Sequence, residues 1–298
     1  MPFDLLVITY YFCLITLICK LTIMDIEKIQ QKAERERVSV ALIFKEYLQA
    51  IILDFLFRED MFKDIVFQGG TAIRFFYKGV RYSEDMDFVL KNKKDNSVLK
   101  KIKKTIQGMS TFIERNIPIV RKSEVKLQKE SFLIIRYVLI SDIGILNMED
   151  RTNLEIGLVP SYTGQVHFLK TEYTPFPPAV VVEASEEILA DKVVAFGGRK
   201  YLKGRDIWDI YFLRENAKIG SMKEVKEMTN KKISDYKIKK ARFKSAFEKN
   251  LILLKERGKK ILADEVVRYL PVNYREMFEE QYSYICKDTF EFLSGMIE

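Results

Sequence analysis

Residues 69 to 87 constrain this chain more than any other stretch. They read Gly69-Gly70-Thr71-Ala72-Ile73-Arg74-Phe75-Phe76-Tyr77-Lys78-Gly79-Val80-Arg81-Tyr82-Ser83-Glu84-Asp85-Met86-Asp87. A Gly-Gly-Thr turn opens a short helix, a basic loop follows, and a strand begins with aspartates at i and i+2. Side chains on a strand alternate faces, so Asp85 and Asp87 point the same way. Two carboxylates on one face, beside a Gly turn with free backbone N–H groups, make a place for a divalent metal and a phosphate chain. The arrangement suits nucleotidyl transfer from a nucleoside triphosphate.

The rest of the chain narrows the choice. It has 298 residues, with Gly (13) and Pro (7) too scarce for a disordered or fibrous protein. That length buries a sizeable core in one or two domains. A net charge of +8 favours an anionic partner such as RNA or a nucleotide, although a lysine-rich solvated surface gives the same number. Cys13, Cys19 and Cys286 form no metal-ligand spacing and no disulfide framework, which fits the cytoplasm. His167 is the only histidine, set in an expected strand away from any nucleophile, so His-dependent hydrolysis is disfavoured.

The amino terminus stands apart. Leu5 to Cys19 is an uncharged apolar run ended by Lys20. It falls short of the roughly 20 residues a spanning helix needs, although Leu21 to Met24 extends it. Three readings are open for residues 1–23: a membrane anchor, a buried helix, or residues upstream of the functional start. Met24-Asp25-Ile26-Glu27-Lys28 reads as the natural beginning of a protein.

Helices are expected over polar, charged Glu27 to Arg37 and over Val38 to Phe57, where apolar residues recur at helical spacing, and Ile65-Val66-Phe67 leads into the Gly turn. Thr71 to Lys78 is expected as a short helix closed by Gly79, and Met86 to Leu90 as the carboxylate-bearing strand. Lysine-rich Lys91 to Lys104 is either a solvated helix face or an RNA track. Further strands are expected at Phe132 to Ile140, Thr152 to Val159 and His167 to Tyr173. Ser185 reads as the cap of a helix ending near Phe196. Helix Arg205 to Arg214 follows, and the chain from Ile219 onward reads as helical and basic. The expected class is α+β. A small mixed-sheet domain with leading helices spans 24–184, and a helical region spans 185–298 and closes a cleft.

Phosphoryl transfer needs metal to neutralise the triphosphate and groups to hold its oxygens. Asp85 and Asp87 are the candidate Mg²⁺ ligands. Glu155, in Leu154-Glu155-Ile156, is the candidate third carboxylate or else an outward strand residue. Backbone amides around Gly69, Gly70 and Thr71 suit phosphate, with the Thr71 hydroxyl as a donor. Lys192 either snorkels along its helix or holds the triphosphate. Asp206 and Asp209 share a helix face, as catalytic acids or as ion-pair partners of Arg199 or Arg205.

These residues resemble the AbiEii/AbiGii toxin family of nucleotidyltransferases, within the DNA polymerase β-like superfamily. The resemblance rests on Gly69-Gly70-Thr71-Ala72-Ile73 and on Arg81-Tyr82-Ser83-Glu84-Asp85-Met86-Asp87-Phe88. It continues in Ala190-Asp191-Lys192 and Arg205-Asp206-Ile207-Trp208-Asp209-Ile210. It covers Met24 to Leu213, with weaker similarity in the helical tail. It implies a nucleotidyltransferase fold, Mg²⁺, a nucleoside triphosphate and a separately encoded antitoxin. It also implies a toxin–antitoxin or phage-defence role. Some relatives modify the 3′ end of tRNA, and others are linked to GTP. By the same match Asp85 and Asp87 would hold metal. Arg81, Ser83 and Lys192 would join the Gly turn around the nucleotide. Thr71 stands where some members have Ser, and Asp209 or Asp206 would be the late catalytic aspartate. Glu155 matches no family motif and rests on the physical argument alone.

Two other functions fit the sequence less well. One is a nucleotide- or RNA-binding module without catalysis, supported by Lys237, Lys239, Lys240, Arg242 and Lys244 interleaved with Tyr236 and Phe243. The other is a membrane-tethered defence effector anchored by Leu5 to Met24.

Overall fold

The structure is a computed structural model that describes residues 26–92, 94–174, 176–216 and 221–297. The apolar run from Leu5 and the candidate start Met24 lie outside the described residues. Among the described residues no helix is long and apolar enough to cross a membrane.

The fold is mixed α+β around one seven-stranded sheet, ordered β3-β4-β5-β2-β1-β7-β6. Its strands are β1 (Ile65–Gln68), β2 (Met86–Leu90), β3 (Lys122–Glu130), β4 (Ile134–Ile143), β5 (Met148–Pro160), β6 (Gln165–Phe168) and β7 (Ala179–Val182). β1 pairs antiparallel with β2 and parallel with β7, and β2 runs parallel to β5. Along β2, Met86, Phe88 and Leu90 are buried, while Asp87 points to the opposite, accessible face.

Helix α1 (residues 26–36) precedes α2 (Val40–Arg58), whose Ser39 cap accepts from the Leu42 amide. α2 is buried along nearly its whole length, and its buried polar residues are all engaged. Lys45 pairs with Asp150 at 3.0 Å, and Glu46 receives Lys32 at 2.8 Å and Arg74 at 2.7 Å. Gln49 donates to the Ser83 carbonyl at 3.0 Å, which anchors the loop that delivers β2. Buried polar groups that find partners in this way fix a geometry rather than cost stability.

The basic loop is tied down further. α3 (Gly69–Phe76) ends with Lys78 in the left-handed region, φ 60°, and the Gly79 amide donates back to the Ile73 carbonyl at 3.0 Å. The left-handed residue is therefore Lys78. Gly79 is needed for a different reason: a Cβ there would meet the Ile73 carbonyl at 2.9 Å.

α4 (Asn96–Asn116) lies along α2 and β3. From Ser185 every described element is helical: α5 (Ser185–Gly198), α6 (Gly204–Asn216), α7 (Met222–Asp235), α8 (Lys240–Val266) and α9 (Val272–Ile297).

Three sequence expectations change. The strand expected at His167 to Tyr173 is only Gln165–Phe168, because the chain turns off the sheet before Pro177 and Pro178. Ser185 is not the cap of its helix; Ala184 takes that place and Ser185 is the first helical residue. β3 was not expected at all. It is an exposed edge strand, so its lysines and glutamates carry no apolar alternation.

Candidate active site

Neighbouring strands place four polar residues in one row. Asp87 lies beside Glu155 on β5, Glu155 beside Arg136 on β4, and Arg136 beside Lys129 on β3. Over this face opens a polar cavity of about 450 Å³. Asp85, Asp87, Asn153 and Glu155 form its floor. Gly70 and Ser83 lie at one side, and Lys192, Arg199 and Arg205 reach in from the helices.

Each functional side chain has an identifiable support. Thr71 is fully buried, and its hydroxyl donates to the Asp85 carbonyl oxygen, so it holds the aspartate strand and does not face the cavity. Asp85 accepts from Asn153 Nδ2 at 2.9 Å and lies 3.4 Å from Arg205. Among the described residues Asp87 makes no such pair. Burial, then the neighbouring Asp85 charge, push its carboxyl up to about 7, against the pull of Lys192.

The Gly turn is shaped by the same aspartate. Gly69 has φ +80°, and a Cβ there would run into the Asp87 carboxylate. A Cβ on Gly70 would fall 2.7 Å from Arg81 Nη2 and 2.9 Å from Ser83 Oγ, inside the cavity. The start of α3 thus lies directly against Asp87 and the cavity, and a helix N-terminus attracts phosphate.

The two late aspartates separate clearly. Asp209 is buried and receives a forked interaction from Arg81, Nη2 lying 2.8 and 2.9 Å from its two oxygens. Lys192 Nζ reaches the same carboxylate at 2.8 Å. Burial works to raise this carboxyl's pKa, but Arg81 and Lys192 together hold it below its ordinary value. Asp206 lies in the first turn of α6, pairs with Arg199 at 3.2 Å and does not line the cavity. The structure thus gathers Gly70, Arg81, Ser83, Asp85, Asp87, Glu155 and Lys192 around one space, with Asp209 directly behind Arg81 and Lys192.

Glu155 shares the aspartates' face, but Arg136 grips its carboxylate, the guanidinium Nε lying at 2.8 Å. Among the described residues no three His, Cys, Asp or Glu side chains are gathered to hold a metal unaided. Glu155 lines the same cavity as the two aspartates, with its carboxylate held by Arg136. The Asp85–Asp87 pair still suits Mg²⁺, which binds through one or two carboxylates and completes its shell with water and substrate phosphates. The two aspartates, lining one polar cavity side by side, are the donor set that fits a cation there.

Sequence reading missed Gln128, Arg136 and Asn153 as cavity residues. Asn153 stands two residues before Glu155, so strand alternation alone places it on the same face. Arg136 and Gln128 depend on strand register, which no local pattern reveals. The basic tail also differs from expectation. Tyr236 packs against Gly157, and Phe243 closes over Gly197, so neither ring is a free stacking surface.

A model of the AbiEii nucleotidyl transferase toxins of type IV toxin–antitoxin systems matches residues 51–284. Among solved structures, JHP933 from Helicobacter pylori is 21% identical, with a TM-score of 0.45, covering 76% of this chain and 96% of its own. A second Helicobacter pylori structure, provisionally named a nucleotidyltransferase, is 20% identical, with a TM-score of 0.41, covering 73% and 98%. No curated protein matches the sequence. The family match spans most of the chain and includes both motif blocks that build the cavity, and so the chain belongs to the AbiEii nucleotidyl transferase toxin family.

Proposed function

We propose that this nucleotidyltransferase uses Mg²⁺ to transfer a nucleotide from a nucleoside triphosphate to the 3′ end of an RNA, tRNA first among the candidates. The observation that supports this most is the Asp85–Asp87 pair on one sheet face, in a cavity that Lys192, Arg199 and Arg205 also line. Asp85 and Asp87 would hold the metal, which supplies charge neutralisation and alignment of the triphosphate.

The chain's own groups do the remaining work. The α3 amides from Gly70 onward bind phosphate oxygens. Lys192 is placed by Asp209 to meet the triphosphate, and Arg205 is a second cation at the cavity wall. The acceptor hydroxyl oxygen forms a bond to the α-phosphorus while the bond from that phosphorus to the bridging oxygen breaks. Pyrophosphate leaves with the bridging oxygen and its electron pair. The hydroxyl proton passes to solvent water in the cavity as the bond forms.

Family membership implies a nucleoside triphosphate and an antitoxin partner. We further propose that the reaction takes place in the cytoplasm and serves phage defence. The test is pyrophosphate release from each of the four nucleoside triphosphates, with Mg²⁺, with and without total RNA. RNA-dependent release with one triphosphate supports the reading. No release from folded protein with any of them contradicts it.

A further inference from the structure

We propose that Phe132, flanked by Lys94 and Lys237, is a stacking platform for an unpaired nucleobase of a single-stranded RNA. This rests on the reading of the enzyme as one that acts on an RNA end, and it names where that RNA lies outside the cavity.

Phe132 sits in the β3–β4 turn and is 63% exposed as a residue. A lone exposed phenylalanine has no significance by itself. This one is bracketed by cations: Lys237 Nζ lies 3.9 Å from the ring centroid and Lys94 Nζ 4.8 Å. No carboxylate pairs with either lysine among the described residues. The two ammonium groups come from different parts of the chain. Lys94 precedes α4, and Lys237 follows α7 in a turn where its φ is 54°.

The platform adjoins the catalytic face. Tyr236, next to Lys237, lies 3.6 Å from the place a Gly157 Cβ would take. Gly157 follows Glu155 by two residues on β5 and so shares its face. The turn carrying Lys237 therefore covers the same side of the sheet as Asp87 and Glu155. Arg136, which lines the cavity, is four residues from Phe132 along the chain. At about 3.3 Å per strand residue the ring is roughly 10–15 Å from the cavity, a span of a few nucleotides. Gln128, on the other strand of the same hairpin, also lines the cavity.

Both ammonium groups lie over the ring in the free protein, so a stacking base takes the place of one of them and the displaced lysine meets a phosphate of the same strand. Base–aromatic stacking tolerates any sequence, and the lysines track the backbone. A duplex offers no free base face, so it would not use the ring.

The test is fluorescence anisotropy of the full chain with a short fluorescein-labelled, mixed-sequence single-stranded RNA. The same RNA annealed into a blunt duplex is the comparison. Phe132→Ala and Phe132→Leu should weaken single-strand binding by about ten-fold and leave duplex binding unchanged, while Phe132→Trp holds affinity. Lys237→Glu should flatten the salt dependence. In transfer assays Phe132→Ala should raise KM for RNA with kcat and the triphosphate KM unchanged. Equal single-strand affinity in all Phe132 variants overturns the platform, even where label enters RNA. A wild-type chain that ignores single-stranded RNA also overturns it. Label entering protein alone, by contrast, sinks the RNA-acceptor reading itself, and the anisotropy result then still decides the platform.

Discussion

Lys192 and Asp209 meet across the helices that wall the cavity, Nζ to Oδ2 at 2.8 Å, with Arg81 gripping the same carboxylate from the other side. One buried anion thus positions two cations beside the aspartate pair. Removing one partner of a buried ion pair leaves uncompensated charge. Asp209→Ala should therefore cost about 3–5 kcal/mol of stability as well as activity. Urea denaturation checks this. A loss below about 1 kcal/mol would show that Arg81 and Lys192 find other partners.

Asp87 and Asp209 respond to pH in opposite directions. Asp87 is raised to about 7, so the folded chain keeps a proton that the unfolded chain loses near pH 4. Stability from this group is present in acid and falls as pH rises through that window. Asp209 is lowered, so its contribution is present above the ordinary carboxylate range and is lost in acid. Without divalent cations, Asp87→Asn should be more stable than the wild type at pH 8 and no more stable near pH 4. Melting temperatures across that range decide it. A constant difference would contradict the assignment.

Gly70 faces the cavity, whereas Gly69 carries the backbone strain. Gly70→Ala should lose activity on the order of a hundred-fold, since its Cβ meets Arg81 Nη2 at 2.7 Å and shifts the guanidinium at the cavity wall, with a smaller loss of stability than Gly69→Ala. Gly69→Ala should also lose stability, by about 1–2 kcal/mol or more, from its positive φ and the Asp87 contact. Transfer rates beside melting curves separate the two. Equal melting of both variants would refute the distinction.

Lys232 has no exposed side-chain surface and pairs with Glu183 at 2.9 Å, Glu187 at 2.6 Å and Asp191 at 3.1 Å. This cluster joins α7 to α5, the helix that carries Lys192. Glu187 also accepts from the Tyr162 and Thr163 amides. Lys232→Met should destabilise by about 3–5 kcal/mol, because three carboxylates are left buried. Adding Glu183→Gln and Asp191→Asn should recover much of that loss. Failure of the triple variant to recover would mean that packing, not charge, dominates there.

Much of the site was legible because its chemistry is local. The Gly-Gly-Thr turn and the Asp85–Asp87 alternation are contained within nineteen consecutive residues. Lys192 was legible as a lone cation on an apolar helix. The choice between Asp206 and Asp209 was not, because residues three apart share a helix face. Only the packing of α6 shows that one meets Arg81 and Lys192 and the other Arg199. Arg136 and Gln128 were invisible for a related reason: they reach the cavity through strand register. The charged edge strand β3 gives no apolar alternation from which that register could be read. Thr71 was legible as important, but its hydroxyl serves the backbone of Asp85.

The most direct measurement is transfer of label from each α-labelled nucleoside triphosphate, with Mg²⁺ and total RNA, by the wild type and by Asp85→Asn and Asp87→Asn. The account predicts label in an RNA band with the wild type and a loss on the order of a thousand-fold in each variant, with the variants still folded. Transfer by Asp85→Asn or Asp87→Asn at the wild-type rate would contradict it.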